Sequence, residues 1–259
     1  MGLSRDLKQE LKDEMINRIK KKLAKHDYDK KSGNPFIDVI FGKFSRQKTL
    51  THGMATMLGS FYEKMAVKIA EANPNFTVAK KYKISGKISP AETAAITKMT
   101  KDLEEKNSTA DYRAEISIIY AADSTNRVET SITIDLYLVD TNGKEYFIEM
   151  KGPDPNKKEV RAAKEDLMNV IAIKKPEVDK ADFSDKVSVI FGVTYNNNPG
   201  VYDNWKVSRM YEQGMDLLVQ EEFWELLGGP GTWGDILEII AEVQVEVYPL
   251  IKDAMETKF

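Results

Sequence analysis

The sequence contains no cysteine and only two histidines among its 259 residues. Without cysteine, neither a disulfide bond nor a thiolate zinc site can form. With only His26 and His52 available, zinc clusters built on several histidines and most Ser-His-Asp hydrolase schemes are disfavoured. Any metal ion bound by this chain should therefore be a hard cation on oxygen ligands, and Mg²⁺ is the first candidate.

Long apolar runs are also absent. None approaches the roughly 20 residues that a membrane-spanning helix needs. The first 15 residues, MGLSRDLKQELKDEM, lack the apolar centre of a signal peptide. These absences predict a cytoplasmic protein that does not enter the membrane. A composition of 42% hydrophobic and 31% charged residues is typical of a globular protein, and the length predicts a single domain, residues 1–259.

Charge is unevenly distributed along the chain, although the net charge is only −3. Residues 215–259 carry ten acidic and two basic side chains, which leaves residues 1–214 with a net charge of +5. A mildly basic body is compatible with one DNA-facing surface. Many proteins with no such surface show comparable asymmetry, so charge alone leaves both interpretations open.

Hydrophobic periodicity predicts an α/β fold. Helical spacing predicts helices at 3–25, 51–71 with Thr51 as the cap, 90–106, 157–173, 215–227 and 232–257. Runs of β-branched and aromatic residues predict strands at 113–121, 127–139, 144–150 and 186–195. This order predicts a mixed central sheet of four to five strands flanked by helices. The core would be 111–196, between a mainly helical part, 1–110, and a C-terminal helical part, 197–259.

Residues 132–151, ITIDLYLVDTNGKEYFIEMK, predict two apolar strands joined by a hairpin turn. Asn and Gly in the turn accept the positive φ angles that a hairpin requires. A three-residue loop at 141–143 places Asp135 opposite Glu149 on the neighbouring strand. A two-residue Asn-Gly turn would instead place Asp135 opposite Met150, so two registers remain open.

The hairpin brings two carboxylates and an ammonium group together, because strand alternation puts Glu149 and Lys151 on one face. Adjacent carboxylates repel unless a cation lies between them, and Asp135 and Glu149 offer the oxygen ligands that Mg²⁺ prefers. Lys151 would then orient the attacking water and stabilise developing negative charge at a phosphorus centre. The alternative is that these residues are ordinary strand-end charges, because a D…ExK spacing alone often occurs by chance in a chain with 31% charged residues. The apolar strands, the following helix and the further strand favour a site.

At these residues the chain resembles the PD-(D/E)XK nuclease superfamily, and within it the type II restriction endonucleases of the TdeIII-like, GGNCC-type group. Besides the core motif, the narrower resemblance depends on NPF at 34–36, THGMATMLGSFYE at 51–63 and KGPDPNKKE at 151–159. The similarity covers roughly residues 30–230, but only the core motif is strongly diagnostic. Ile134 replaces the proline written before the aspartate, which leaves Asp135 in place.

The resemblance implies a restriction-endonuclease-like core and Mg²⁺-dependent cleavage of double-stranded DNA at a short palindromic site of the GGNCC type. It implies that Asp135 and Glu149 bind the metal and that Lys151 acts on the water. Glu63 falls where such enzymes often have an extra acid on an upstream helix, and would complete the metal shell or hold Lys151. The alternative for Glu63 is a surface charge paired with Lys64.

Residues 152–158, which follow the catalytic strand, are candidates for DNA contact. Two prolines stiffen this exit, and backbone amides near the next helix start could hold the DNA backbone. Lys164, further along that helix, would continue the contact. The candidate DNA-binding residues in this part of the chain are Asn156, Lys157, Lys158 and Arg161. The alternative is a rigid turn with solvated lysines.

A second candidate DNA-binding segment is YNNNPGVYDNWKVSR, residues 195–209. Asparagine can bridge adenine and arginine can bridge guanine in the major groove. The candidates are Asn196, Asn197, Asn198, Lys206 and Arg209, together with His52 as a phosphate contact upstream. The alternatives are an ordinary turn for the three asparagines and a helix-capping or packing role for His52.

A palindromic site has two-fold symmetry, so a homodimer that places one active site at each strand is expected. The acidic, amphipathic region 215–257 is a candidate interface. A repair or recombination nuclease of the same superfamily, such as a junction resolvase, would share this chemistry. A non-catalytic DNA-binding module is the alternative from another class, but it would not need Asp135, Glu149 and Lys151.

Overall fold

A computed structural model describes residues 2–28, 43–198 and 200–258 of the chain, which excludes the NPF stretch at 34–36. The chain divides into two compact units. The first comprises Met1–Ile69 and Gly228–Phe259, and the second comprises Ala70–Leu227. None of the helices in the described ranges has both the length and the apolar character needed to cross a membrane.

The first unit contains helices near both ends of the chain: α1 (Arg5–Lys25), most of α2 (Lys43–Ala72) and α9 (Thr232–Thr257). Ser4 caps α1 by accepting a hydrogen bond from the Leu7 N–H at 3.3 Å. Helices α1 and α9 pack together, each with one buried apolar face. The ion pairs Lys8–Glu238, Lys12–Glu242 and Lys20–Glu246 run along this contact. The acidic C-terminal helix is thus partly neutralised by lysines of α1.

The second unit is the α/β part of the molecule. Its elements in chain order are β1 (Phe76–Ile88), α3 (Pro90–Glu104), α4 (Tyr112–Ala121), β2 (Val128–Asp140), β3 (Glu145–Lys151), α5 (Lys157–Lys174), a 3-10 turn (Lys180–Asp182), α6 (Phe183–Lys186), β4 (Val187–Val193), α7 (Trp205–Ser208), β5 (Leu217–Val219) and α8 (Glu221–Gly228). Five strands form one sheet in the order β1-β2-β3-β4-β5. The first three are antiparallel, while β4 and β5 run parallel to β3. The predicted α/β fold with a mixed sheet flanked by helices is confirmed.

Helix α5 covers the sheet and determines much of the core. Its buried face includes Val160, Leu167 and Ile171, which pack with Phe147 of β3 and Val189 of β4 in one hydrophobic cluster. The crossover from β3 through α5 to β4 is the connection that parallel neighbouring strands require. This packing fixes the position of β3, the strand that ends at Lys151.

Three predicted elements are wrong or shifted. Residues 113–121 form helix α4 and not a strand, because Tyr112, Glu115, Ile116 and Ile119 are buried at helical spacing. Helix α2 begins at Lys43, so Thr51 lies inside it, and its hydroxyl donates to the Gln47 carbonyl at 3.1 Å. Residues 217–219, predicted as helix, form the edge strand β5.

Lys164 lies on the buried side of α5 with its side chain inaccessible to solvent. Its Nζ is 2.6 Å from Glu115 Oε2 and 2.6 Å from Asp216 Oδ2, which links α4, α5 and the segment before β5. Burial raises the pKa of Glu115 to about 7 against the opposing effect of Lys164. The expectation that Lys164 contacts DNA is wrong, because its ammonium group is buried in ion pairs with Glu115 and Asp216.

Candidate active site

The hairpin between β2 and β3 has the three-residue loop, and the register that depends on it is confirmed. The Asp140 N–H donates to the Lys144 carbonyl at 2.9 Å, and Gly143 has a φ of +83° in the left-handed region that glycine tolerates. Leu136 pairs with Ile148, the register that directs Asp135 towards Glu149. The two-residue alternative, which would place Asp135 opposite Met150, is excluded.

Asp135 lies where the regular pairing of β2 with β3 stops. Its Oδ2 accepts a hydrogen bond from the Met150 N–H at 3.1 Å, so the carboxylate satisfies a backbone donor at the end of the ladder. Its Oδ1 accepts from Lys81 Nζ at 2.5 Å. Burial favours a raised pKa, but the hydrogen bonds from Lys81 and from the Met150 N–H hold the pKa of Asp135 below its usual range.

Glu149 and Lys151 complete the cluster. Lys151 Nζ lies 3.5 Å from Glu149 Oε2 and 3.8 Å from Asp135 Oδ2, so both carboxylates converge on one ammonium group. Glu149 is buried, and burial followed by the negative charge of Asp135 raises its pKa to about 7. The structure thus brings together the three residues that the hairpin spacing selected, which we call the carboxylate–lysine cluster.

The donor set of this cluster fits a divalent cation on oxygen ligands. Burial raises the pKa of Glu149 and the negative charge of Asp135 adds to this effect, so a cation between the two carboxylates would be stabilised. In the described part of the chain, no group of three or more His, Cys, Asp or Glu side chains is arranged to hold a metal ion. A cation bound by Asp135 and Glu149 would therefore take its remaining ligands from water, substrate or backbone oxygens.

Asp166 is a further acid close to the cluster that the sequence reasoning missed. It lies half-buried on α5, and its negative charge contributes to the raised pKa of Glu149. Burial raises the pKa of Asp166 itself, while the Lys151 ammonium acts in the opposite direction. In the sequence, the available signal for Asp166 was an acidic residue beside the apolar face of the helix that follows the D…ExK motif.

The exit of β3 is held in place by the segment that follows β4. Tyr202 donates its hydroxyl hydrogen to the Pro153 carbonyl at 2.8 Å, and the Asn204 side chain donates to the same oxygen at 3.0 Å. Lys206 forms an ion pair with Asp154. These contacts connect two of the predicted DNA-binding segments directly to the strand that carries Glu149 and Lys151.

The predicted contacts around the start of α5 have mixed environments. Asn156 is the N-cap of α5, since its side chain accepts from the Glu159 N–H at 3.0 Å in a capping box. Lys157 and Lys158 are exposed. Arg161 is half-exposed and forms ion pairs at 2.9 Å with both Glu104 and Glu165. The two lysines are therefore the most accessible cations of this group.

The asparagines at 196–198 form a compact turn. Asn196 Nδ2 donates to the Gly200 carbonyl at 3.0 Å, while Asn198 Nδ2 donates to Asp203 at 2.8 Å. Asn197 is exposed. This arrangement is that of the ordinary turn, although exposed amide edges remain on its surface.

Trp205 is an exposed aromatic residue that the sequence reasoning did not select. Its side chain remains half-accessible, with Lys157 Nζ 4.9 Å and the Arg209 guanidinium carbon 4.8 Å from the ring centroid. Arg209 also donates to the Glu104 carbonyl at 3.1 Å. The indole thereby groups two predicted DNA-contacting cations on one patch, which we call the Trp205 patch. In the sequence, the available signal was a tryptophan followed closely by Lys206 and Arg209.

Two predicted site residues lie in the first unit. Glu63 is exposed on α2, and its neighbour Lys64 pairs with Glu14 at 2.7 Å and not with Glu63. His52 is exposed at the rim of a cavity of about 580 Å³. The lining residues of this cavity are Arg18, Lys21, Lys22, Lys25, His26, Asp27, Thr49, His52, Gly53 and Met57. Their excess of positive charge is compatible with phosphate.

Comparison with known proteins points to one family. The sequence matches the family described as "Type II restriction endonuclease, HinfI" over residues 3–244. Two type II restriction enzymes of Herpetosiphon aurantiacus, HgiEI and HgiBI, are each 26% identical to this chain, over 216 and 223 residues. A third from the same organism, HgiCII, is 25% identical over 219 residues. Each alignment covers 81% of this chain and 76–77% of the relative, and the family match contains the whole carboxylate–lysine cluster.

Proposed function

The chain belongs to the HinfI family of type II restriction endonucleases, and we propose that it cleaves double-stranded DNA at a short palindromic site with Mg²⁺ bound by Asp135 and Glu149. The observation that carries this proposal is the convergence of both carboxylates on Lys151 at the end of the β2–β3 hairpin. The enzyme would act in the cytoplasm, where its double-stranded DNA substrate is found.

In the proposed reaction a water molecule attacks the scissile phosphorus, one phosphorus–oxygen ester bond breaks, and the leaving oxygen takes up a proton. Bound Mg²⁺ supplies positive charge that polarises the phosphorus centre and favours ionisation of the water. Lys151 donates hydrogen bonds that orient the water and stabilise the negative charge of the transition state. The hydrogen bond from the Met150 N–H keeps Asp135 ionised and correctly oriented.

DNA would be held beside the cluster by the exit of β3 and by the Trp205 patch. Lys157, Lys158 and Arg209 are cations available for phosphate contacts. Lys206 supports the same surface through Asp154. Phosphate contacts of this kind fix the register of the duplex while leaving sequence reading to contacts with base edges.

We further propose a recognition sequence of the GGNCC type. Its support is the resemblance of THGMATMLGSFYE and KGPDPNKKE to segments of TdeIII-like enzymes. Asn196, Asn197 and Asn198 are the proposed readers of base edges, since a side-chain amide offers both a hydrogen-bond donor and an acceptor to the groove. His52, in its basic cavity, is proposed to contact phosphate.

Glu63 is proposed as an additional catalytic acid, on the resemblance to enzymes that have an extra acid on an upstream helix. It is exposed, and no ion pair with Lys64 competes for it. Glu63→Ala should therefore lower the cleavage rate in part without abolishing it, as measured by single-turnover digestion. A rate equal to that of the unaltered enzyme would show that Glu63 is a surface charge without a role in cleavage.

A homodimer is proposed because a palindrome presents the same scissile bond on both strands. Helix α9 offers a surface for it: Leu237, Ala241, Val245 and Tyr248 lie on one face at helical spacing and are exposed. A second copy of the same helix would cover this apolar stripe symmetrically.

Digestion of plasmid DNA tests the proposal. Incubation with Mg²⁺ should produce discrete fragments, and sequencing of their ends should show one short palindrome. Omission of Mg²⁺ with added EDTA should prevent cutting. A smear with random ends would point to a non-specific or repair nuclease, and binding without cutting would point to a DNA-binding module.

A further inference from the structure

Lys81 has an unusual backbone conformation directly beside the carboxylate–lysine cluster. Strand β1 pairs with β2 in one register on both sides of it, Lys80 with Leu136 and Tyr82 with Ile134. In this register Lys81 stands opposite Asp135. Its φ is +50°, and it is the only strand residue in the described ranges with a φ in the left-handed region.

This conformation is strained, because a side chain at positive φ collides with its own backbone. Strained residues of this kind persist only where the surroundings hold them, and they concentrate at functional sites. At Lys81 the strain accompanies a specific contact: its Nζ reaches Asp135 Oδ1 at 2.5 Å. The other oxygen of Asp135 faces Lys151 at 3.8 Å, so one carboxylate has a lysine at each oxygen.

The two lysines differ in accessibility. The Lys81 side chain is 63% exposed, whereas that of Lys151 is 29% exposed. An exposed ion pair contributes little to stability, so the pair with Asp135 does not compensate for the strained backbone. An accessible ammonium group on a flexible stem is, however, suited to binding a phosphate that approaches from solvent.

We propose that Lys81 is a second active-site lysine, which pairs with Asp135 in the free enzyme and contacts the phosphate backbone of DNA at the scissile position when substrate is bound. This inference rests on the proposed function and adds a substrate-contacting residue to it. In the free enzyme the Lys81 ammonium neutralises a carboxylate that would otherwise repel DNA. When DNA binds, the ammonium group turns from Asp135 towards a phosphate oxygen of the backbone.

The strand also offers a matched control. Lys87 forms an exposed ion pair with Glu129 across the same two strands, at 3.5 Å, with 59% of its side chain exposed. Its φ is not in the left-handed region. Lys87→Met thus removes the same charge and the same kind of cross-strand pair, but at an unstrained position outside the cluster.

Two measurements test the proposal. Lys81→Met should lower the single-turnover cleavage rate about 100-fold, the effect of removing one donor to a transition-state charge. Without divalent metal, it should also reduce the slope of log binding constant against log salt concentration by about one, the loss of one phosphate contact. Lys81→Arg should keep the slope, and Lys87→Met should change neither quantity by more than about twofold.

A glycine substitution separates folding from function. Glycine accepts a φ of +50° without strain, so Lys81→Gly should melt no lower than the unaltered protein and yet cleave as slowly as Lys81→Met. If wild-type enzyme cuts DNA while Lys81→Met matches Lys87→Met in rate and salt slope, the inference about Lys81 is overturned and the proposed function stands. If wild-type enzyme neither binds nor cuts DNA, the proposed function itself fails.

Discussion

At the scale of single residues, burial and the neighbouring charges together set the protonation of the two carboxylates of the cluster. Asp135 lies beside the ammonium groups of Lys81 and Lys151 and accepts a hydrogen bond from a backbone N–H. These contacts outweigh burial and lower its pKa. Glu149 is buried with one ammonium group at 3.5 Å, and its pKa is raised to about 7. Two similar side chains, a few residues from one turn, thereby acquire opposite protonation tendencies, and the site becomes receptive to a cation.

Lys151→Ala should be inactive, with a loss of at least about 100-fold in single-turnover rate, because a donor to the developing charge is removed. A titration of Mg²⁺ should not restore activity, since the metal and the lysine have different roles. Lys87→Ala, which removes an exposed cation outside the cluster and outside the proposed DNA-binding surface, is the control and should cut at a similar rate to the unaltered enzyme. Recovery of Lys151→Ala at high Mg²⁺ would show that the lysine only helps to bind metal.

Trp205→Ala should weaken DNA binding about tenfold, because the ring that groups Lys157 and Arg209 is lost. Trp205→Phe keeps an aromatic face and should retain most of the affinity. Fluorescence anisotropy with a labelled duplex in the absence of divalent metal measures binding without cleavage. Equal affinity for Trp205→Ala and the unaltered protein would remove the Trp205 patch from the DNA surface.

At the scale of secondary-structure elements, the buried Lys164 links helices α4 and α5 to the segment before β5. Its two carboxylate partners, Glu115 and Asp216, are themselves buried, so the three side chains depend on one another. Removal of one member of such a group leaves an unpaired charge in the interior, which costs more than the intact group contributes.

Lys164→Met should destabilise the fold by about 3–5 kcal/mol in urea unfolding followed by circular dichroism. Lys158→Met, on the exposed side of the same helix, should change the free energy of unfolding by less than about 0.5 kcal/mol. If Lys164→Met proved as stable as the control, the carboxylates would have to be neutral in the folded protein.

The elements also show what local sequence can and cannot predict. For the β2–β3 hairpin, the sequence predicts both strands and the turn and leaves two registers open, and the structure has the register of the three-residue loop. The isoleucines of α4 suggest a strand in the sequence, whereas their burial at helical spacing depends on packing against α3 and α5. Strand β1 was missed because its lysines at 80, 81, 83 and 87 resemble a solvated run.

The residues of the site also divide into those that local sequence predicts and those that only tertiary contacts bring together. Asp135, Glu149 and Lys151 belong to one hairpin, and their convergence followed from local geometry. Lys81 and Asp166 reach the cluster from β1 and from α5, so only the paired sheet and the packed helix bring them near. The Trp205 patch likewise depends on contacts across about 50 residues of sequence, such as that between Tyr202 and Pro153.

At the scale of the whole molecule, the charge asymmetry acquires a structural reason. Acidic residues of α9 pair with lysines of α1 within the first unit, so part of the C-terminal negative charge is balanced locally. What α9 leaves exposed is an apolar stripe that includes Val245 and Tyr248. An acidic helix with a paired polar face and an uncovered apolar face is suited to a second copy of the chain.

Val245→Glu should weaken dimer formation, because it introduces a charge at the centre of the proposed contact. Sedimentation at several protein concentrations should show a dimer for the unaltered protein and a shift towards monomer for the variant. Val128→Glu, an exposed valine at the start of β2, is the control and should leave the assembly unchanged. A monomeric unaltered protein at all concentrations, also with DNA, would remove the dimer from the proposal.

The most direct test of the central claim is a pair of measurements on Asp135→Asn, which keeps the shape of the side chain but removes its charge. With Mg²⁺ and plasmid containing the recognised site, the variant should produce no discrete fragments, while its affinity for that DNA should be retained or increased because repulsion of phosphate is lower. Cleavage at a rate near that of the unaltered enzyme would contradict the claim that the carboxylate–lysine cluster is the catalytic site.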